Sequence, residues 1–194
     1  MKPFKKVQSI VTPLDKVNVD TDQIVPKQFL KLVQKSGFEK FLFYNWRYDK
    51  NEEPNSSFVL NDARYKNSKI LVTRDNFGCG SSREHAVWAL LDYGFSVVIA
   101  PSFGDIFYSN CFKNGLLPIK LDSKEVDKLM KIKSEIEVDL ENQTLKTKHE
   151  TIRFEINPHK KKILLEGLDD IALTIQYEDK IAEFEKQSII PSVL

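Results

Sequence analysis

The sequence has few cysteines, almost no net charge and no long apolar run. Its 194 residues include two cysteines, Cys79 and Cys111, which are too few for a disulfide framework and favour a reducing compartment such as the cytoplasm. The 29 basic and 28 acidic residues leave a formal net charge of +1, so there is no general electrostatic reason to bind nucleic acid. No apolar run approaches the roughly 20 residues that a membrane helix needs. We therefore expect a cytoplasmic protein with no nucleic-acid or membrane partner.

The order of strand-like and helix-like segments indicates an α/β protein. Between about residues 68 and 121 the pattern runs strand, helix, strand, helix, strand, which favours parallel strands joined by helical crossovers. Both ends of the chain are richer in hairpin-like patterns, including one around Glu141 and Asn142. We expect a single domain over residues 1–194, with a mixed, partly parallel sheet flanked by helices.

Several local assignments follow from turn and cap signals. A strand that begins near Phe4 should end at Pro13, and a helix that begins at Pro26 should end at Ser36 and Gly37. The lysine-rich residues 157–164 are interpreted as a solvated turn. Residues 167–187 have the pattern of an amphipathic helix capped by one of two consecutive aspartates.

The most informative stretch is Asn76–Leu90, NFGCGSSREHAVWAL, in which a loop with two glycines leads into a helix-like run. Ser81 and Glu84 fit the Ser-x-x-Glu capping box, which predicts that Ser81 lies at or near the helix N-cap. The N–H groups at the start of a helix attract anions, and Arg83 adds a planar set of donors that suits a carboxylate or a phosphate. The stretch thus predicts an anion site at the end of a strand.

Two familiar phosphate-binding patterns fail at this loop. The dinucleotide fingerprint needs a third glycine where Arg83 stands, and the P-loop needs Gly-Lys there. The remaining chemical interpretation is a small anionic ligand beside a serine hydroxyl, which needs cationic neighbours and N–H donors to act as a base. A purely structural capping role for Ser81 is the alternative that the spacing leaves open.

The segment from Val72 to Ile119, with its Gly-x-Gly-Ser-Ser-Arg-Glu-His core, closely resembles the swivelling domain of the aconitase superfamily. The segments NVDTDQIVPKQFLK, near the start, and LEGLDDIALTIQYEDKIAEFE, near the end, resemble 3-isopropylmalate dehydratase small subunits in particular. The resemblance covers about Phe4 to Phe184. It implies the aconitase-like swivelling β/β/α fold.

The same resemblance implies that the chain is inactive alone and pairs with a large subunit that carries a four-iron four-sulfur cluster, with no cofactor on this chain. The pair would interconvert 2-isopropylmalate and 3-isopropylmalate, small dicarboxylates, by dehydration and rehydration in leucine biosynthesis. By the family's motif, Ser81 is the catalytic base, and Ser82 and Arg83 contact a substrate carboxylate. Lys27 lies in a segment near the family's active site and would meet a carboxylate, or be a solvated lysine. Substrate discrimination would involve about Leu30 to Phe38.

Other reactive side chains have simpler interpretations. The spacings of Cys79, Cys111 and His85 match no standard zinc pattern, and two cysteines cannot supply a four-cysteine cluster. Glu84 and His85 are expected to cap and brace the helix rather than form an acid–base pair. The other two histidines lie in lysine-rich stretches and should be exposed.

Asp20 and Asp22 begin a spacing found in calcium loops, but Ile24 breaks the pattern, so calcium is not expected. The aromatic residues within 41–48 suit either a core or a contact with a partner protein.

Two other functions stay open beside the isopropylmalate reaction. A homoaconitase or a methylmalate- or maleate-type hydro-lyase would use the same dehydration chemistry with a different pocket for the substrate's substituent. A non-catalytic carboxylate-binding module would bind its ligand alone and gain no activity from an iron–sulfur partner.

Overall fold

Two four-stranded sheets organise the computed structural model, which describes residues 1–30 and 36–187. The first sheet is antiparallel, with strand order β1-β6-β7-β8, and the second is parallel, with order β2-β3-β4-β5. The strands are β1 Lys6–Ser9, β2 Val11–Leu14, β3 Ile70–Thr73, β4 Val97–Ala100, β5 Leu117–Lys120, β6 Ile136–Asp139, β7 Thr144–Lys146 and β8 Thr151–Arg153.

Helices occupy the longer connections between these strands and the segment after β8. They are α1 Thr21–Ile24, α2 Tyr44–Arg47, α3 Glu84–Tyr93, α4 Asp105–Asn114, α5 Ser123–Lys131, α6 Pro158–Glu166, α7 Asp170–Ile175 and α8 Glu178–Gln187. Short 3₁₀ helices span Lys27–Phe29, Glu39–Phe41, Val59–Asn61 and Ala63–Tyr65. Within the described ranges, no helix combines the length and the apolar character that crossing a membrane requires.

The α/β class and the predicted β3-α3-β4-α4-β5 succession are confirmed. Strands β3 and β4 pair in parallel and are buried at every position, as expected when both faces of a parallel sheet are covered. The predicted hairpin is also present, since β6 and β7 pair antiparallel. The parallel and antiparallel strands lie in two separate sheets, however, rather than within one mixed sheet.

Alternate residues of the parallel strands belong to two hydrophobic clusters. Leu71 and Val98 pack in one cluster with the apolar residues of α3, whereas Val72 and Ile99 pack in the other with α5 and the antiparallel sheet. Successive side chains of a strand point to opposite faces, so the parallel sheet forms the layer between the two clusters. Because these strands are parallel, the carboxyl ends of β2, β3 and β4 lie along the same side of the sheet, called its carboxyl edge below.

The N-terminal strand prediction is wrong in one respect. The chain changes sheets at Ile10, between β1 and β2, and Pro13 lies inside β2 instead of ending it. Proline cannot donate to a strand ladder, but β2 is an edge strand, where one side needs no donor. A single strand-like run therefore supplies one strand to each sheet.

Two helix predictions and one turn prediction also change. Pro26 precedes a 3₁₀ turn rather than a long helix; residues 31–35 of that predicted helix lie outside the described residues. The lysine-rich segment predicted as a turn is α6, because Asn157 caps it and a proline occupies its first turn. The predicted C-terminal helix is two helices, and its N-cap is Asp169, one of the two predicted aspartates.

Candidate active site

The loop between β3 and α3 lies at the carboxyl edge of the parallel sheet. On one side its Gly78 N–H donates to the carbonyl of Val19 at 2.7 Å, in the connection after β2. On the other side the Phe77 N–H donates to the carbonyl of Ser102 at 3.1 Å, in the connection after β4. Open α/β sheets bind ligands outside the carboxyl ends of their strands, so the motif lies where a ligand site is expected.

Glycine is required where this loop meets α4. Gly78 has φ +73°, and a Cβ there would lie 2.2 Å from Cγ of Phe107. A Cβ on Gly104 would lie 2.5 Å from the carbonyl oxygen of Gly78. The two backbones are therefore in direct contact, which only residues without a side chain permit.

Ser81 does not cap α3, and the predicted capping box is wrong. The helix begins at Glu84 with Arg83 as its N-cap, and no side-chain hydrogen bond caps it. Ser81 and Ser82 precede the cap and are exposed. The capping alternative for Ser81 is thereby removed, and both hydroxyls face the outside of the protein beside the start of a ten-residue helix.

The short helix α1 fixes the loop through hydrogen bonds to the backbone. Its Thr21 is buried, and the hydroxyl donates to the carbonyl of Ser81 at 2.9 Å while the N–H donates to the carbonyl of Cys79 at 3.0 Å. A genuine capping box fixes α1 itself: the Asp20 carboxylate accepts from the N–H of Gln23 at 2.7 Å, and the Gln23 side chain accepts from the N–H of Asp20 at 3.0 Å.

Arg83 forms an ion pair with Asp22 of α1. Its Nη1 donates to the Asp22 carboxylate, and its side chain is 14% exposed against 39% for that of Asp22. The hydrogen bond from Arg83 lowers the pKa of Asp22, and the charge of nearby Lys27 lowers it further. Exposed Lys27 thus belongs to the same group of charges as Arg83.

The start of α3 is braced by the end of α4. Asn114 donates from Nδ2 to Glu84 at 2.7 Å and accepts from the indole N–H of Trp88 at 2.9 Å. His85 packs edge-on against Phe38 and beside Trp88, and burial lowers its pKa, which favours a neutral imidazole. Glu84 and His85 therefore brace the helix, although the capping role predicted for Glu84 is absent.

The cysteines do not fit an iron–sulfur cluster. Cys79 is half-buried in the motif loop and Cys111 is fully buried in α4, and burial raises the pKa of both thiols. A four-iron four-sulfur cluster takes four thiolates, or three if one iron stays open, and the sequence has two cysteines. Within residues 1–30 and 36–187, no group of three or more His, Cys, Asp or Glu side chains is placed to hold a metal ion.

The structure places the four predicted site residues in one region: Ser81, Ser82 and Arg83 on the loop, and Lys27 beside the Asp22 partner of Arg83. Sequence reasoning missed Asp22 as an ion-pair partner. The signal was the Asp-x-x-Gln pattern of residues 20–23, which marks a helix start.

The remaining side chains agree with their simpler interpretations. His149 and His159 are exposed, as expected. In the aromatic stretch Phe43 is fully buried, Trp46 packs against the core, and Phe41 stacks on Phe29 with ring centroids 4.1 Å apart. Core packing therefore accounts for most of this stretch.

Comparison with known proteins identifies relatives that match nearly all of this chain. Residues 1–124 match the family model of the aconitase C-terminal domain, and residues 170–188 match that of the C-terminal domain of 3-isopropylmalate dehydratase small subunits. A 3-isopropylmalate dehydratase small subunit from Brevibacillus brevis is 54% identical over 191 residues, covering 95% of this chain and 98% of that protein. One from Nitrosomonas eutropha is 54% identical over 200 residues, covering 95% and 94%.

A solved structure has the same fold. The crystal structure of 3-isopropylmalate dehydratase from Methanocaldococcus jannaschii superimposes with a TM-score of 0.66 and 26% sequence identity. The match covers 93% of the present chain and 99% of the other.

Proposed function

Because the chain belongs to the family of 3-isopropylmalate dehydratase small subunits, within the aconitase superfamily, we propose that it interconverts 2-isopropylmalate and 3-isopropylmalate in leucine biosynthesis, together with a large subunit. The observation that carries the proposal is the Ser81-Ser82-Arg83 loop at the carboxyl edge of the parallel sheet. Its two serines are exposed, and hydrogen bonds fix its backbone to α1 and to the connections after β2 and β4. We take residues 1–194 to act as one domain in the cytoplasm.

Ser81 is the proposed base that removes the proton next to a substrate carboxylate. A serine hydroxyl is a weak base, and it requires nearby positive charge to stabilise its alkoxide. The guanidinium of Arg83, two residues from Ser81 in the sequence, and the N-terminus of α3, three residues from it, supply such charge. The hydrogen bond from Thr21 to the Ser81 carbonyl fixes the backbone at Ser81. The position from which the Ser81 side chain extends is therefore also fixed.

Ser82, Arg83 and Lys27 are the proposed carboxylate-binding residues. A guanidinium has five N–H donors, and Asp22 accepts from one of its ends. The remaining donors of Arg83 can take a substrate carboxylate while the ion pair persists. Lys27 contributes a second positive charge, which suits a dicarboxylate.

We place the four-iron four-sulfur cluster on the large subunit, since the two cysteines of this chain are too few even for a cluster that leaves one iron open to the substrate. When bound there, the cluster supplies a Lewis acid for the substrate hydroxyl group. The present chain contributes the base and the carboxylate donors, and the partner has to cover the exposed loop to exclude water from them.

The test is reconstitution of the purified chain with a large subunit, followed by an assay of each diacid. Selective turnover of isopropylmalate is expected. Preference for homoaconitate, or for a methylmalate- or maleate-type diacid, would move the assignment to a related hydro-lyase. Carboxylate binding by the isolated chain, with no activity on adding the partner, would support the non-catalytic alternative. Stoichiometric iron on the isolated chain would contradict the placement of the cluster.

A further inference from the structure

The last two described helices carry large apolar side chains that this chain leaves exposed. We call them the tail stripe: Ile171, Ile175, Tyr177, Ile181 and Phe184, with exposures of 71%, 60%, 55%, 39% and 70%. Neither α7 nor α8 buries a single residue. Helices of six and ten residues are marginal in water without a packed face, so these two need a surface to pack on.

On each of the two helices the stripe residues lie on one side. Ile171 and Ile175 are four residues apart on α7, and residues with that spacing lie on the same side of a helix. On α8 a turn of 100° per residue places Ile181 and Phe184 within about 60° of one another, and Tyr177 lies in the turn just before this helix. Asp179 and Lys186 lie on the opposite side by the same geometry. Each helix therefore exposes large apolar side chains on one side, and exposed apolar patches of this kind mark contact surfaces.

The stripe begins beside the proposed active site. A cavity of about 390 Å³ is lined both by Glu84, the residue after Arg83, and by Asp170 and Ile171 at the start of α7. Lys113 of α4 pairs with Asp170 at 3.3 Å, and the N-terminal ammonium lies 3.8 Å from Asp169. The start of the tail is therefore attached to the same part of the body that braces the catalytic loop.

We propose that the tail stripe docks onto the large subunit of the enzyme, as a second contact beside the Ser81–Arg83 loop; this inference rests on the proposed function. The cavity that Ile171 lines also includes Glu84, the residue that follows Arg83, so a partner that covers the loop lies next to the start of the stripe. The separate family model that matches residues 170–188 is specific to small subunits, whereas the aconitase C-terminal domain model ends at residue 124. The tail thus belongs to the part of the chain, after residue 124, that the aconitase C-terminal domain model does not match.

Charge argues against a second copy of this chain as the occupant. Residues 169–187 contain six acidic residues and two lysines, a net charge of −4. A symmetric contact between two tails would place these like charges together, which is unfavourable. The surface that fits is an apolar groove with a basic rim, and we assign it to the large subunit.

The first test places a photoreactive p-benzoyl-phenylalanine at Phe184 and, as a matched control, at Lys186 on the opposite face of α8. Illumination of the purified complex should link position 184 to the large subunit and leave position 186 largely unlinked. Links from position 184 to another copy of this chain, equal linking at both positions, or no link at 184 would each overturn the proposal.

The second test measures the affinity of the two subunits. The double variant Ile175→Ser/Phe184→Ser should raise the Kd for the large subunit by at least about tenfold, as expected for exposed apolar anchors. The control Asp179→Ser/Lys186→Ser should change it less than about twofold. An unchanged Kd for the stripe variant would refute the docking, whatever its activity.

Turnover separates this inference from the proposed function. At saturating small subunit the stripe variant should retain the wild-type kcat, since no stripe residue belongs to the catalytic loop. If the wild-type complex forms but does not turn over isopropylmalate, the proposed function fails while the affinity measurement still tests the docking. Far-ultraviolet circular dichroism and thermal unfolding check that the body, which buries none of these residues, is unchanged.

Discussion

Arg83, on the motif loop, donates a hydrogen bond from Nη1 to the carboxylate of Asp22, which lies 61 residues earlier in α1. The pair fixes one end of the guanidinium, so its remaining donors keep a defined direction toward a ligand. Asp22 is therefore a positioning residue in our interpretation, and it does not contact the substrate itself.

Replacement of Asp22 by Asn should raise KM about tenfold and change kcat less, because Arg83 loses its fixed orientation. The measurement is steady-state kinetics of the reconstituted enzyme. Asp62→Asn removes an Asp–Arg pair elsewhere on the surface and should leave both constants unchanged. A lower KM in the Asp22 variant would show instead that its carboxylate competes with the substrate for Arg83.

Replacement of Arg83 by Lys should lower kcat/KM about 100-fold, although the positive charge is kept. Lysine has a compact ammonium group and cannot hold Asp22 and a substrate carboxylate with separate, fixed donors. Kinetics at several substrate concentrations measure the loss, and Arg64→Lys is the control at an exposed pair. Activity within a factor of two of wild type would exclude a carboxylate-binding role for Arg83.

Replacement of Ser81 by Ala should lower kcat by about 10²–10⁴-fold, the usual contribution of a general base. The side chain is exposed and its carbonyl, which Thr21 holds, is retained, so folding and pairing should be unaffected. Size-exclusion chromatography of the complex checks pairing. Near-normal turnover would remove Ser81 from the mechanism.

Replacement of Gly78 by Ala should destabilise the protein by about 2–5 kcal/mol, since it combines a positive φ with a clash against Phe107. Gly94 also has a positive φ, of +113°, but has open space around it. Gly94→Ala should therefore cost only about 1 kcal/mol. Urea unfolding measures the free energy of both variants, and equal losses would contradict the close contact.

Asp139 should make stability depend on acid pH. Hydrogen bonds from Asn142, backbone first, and then from Lys6 hold its pKa at about 2, below the usual 3.8. The folded pKa is lowered, so the stabilisation is complete above about pH 5 and is lost as the pH falls toward 2. It amounts to roughly 2 kcal/mol at neutral pH.

The check is urea unfolding between pH 7 and pH 2.5. In Asp139→Asn the unfolding free energy should be lower at pH 7 and should fall less on acidification than in wild type. Equal pH dependence in the two proteins would show that other carboxyl groups carry the acid sensitivity.

Much of the central fold is readable from the sequence because its signals are local. Strands β3 and β4 are short apolar runs, and Gly94 and Gly115 end α3 and α4 in the left-handed region. The division into two sheets was not readable, since it depends on partners distant in sequence: β1 pairs with β6, and β2 pairs with β3. Local patterns do not specify such pairings.

The candidate site is likewise only partly readable from the sequence. Its loop residues are recognisable by motif, whereas the ion pair between Arg83 and Asp22 joins two segments that no local pattern connects. The capping prediction for Ser81 failed because the Ser-x-x-Glu spacing also occurs without a cap, and here α3 starts at Glu84. Backbone geometry, not spacing, decided between the two roles.

The contact between Gly78 and Gly104 has a consequence for protein design. The motif loop obtains its shape from backbones on both sides, through the carbonyls of Val19 and Ser102 and the ring of Phe107. Grafting residues 76–85 alone onto another α/β scaffold would transfer the reactive side chains but not their geometry. The smallest unit that can be transplanted comprises three consecutive strand ends of the sheet together with the first turn of α4.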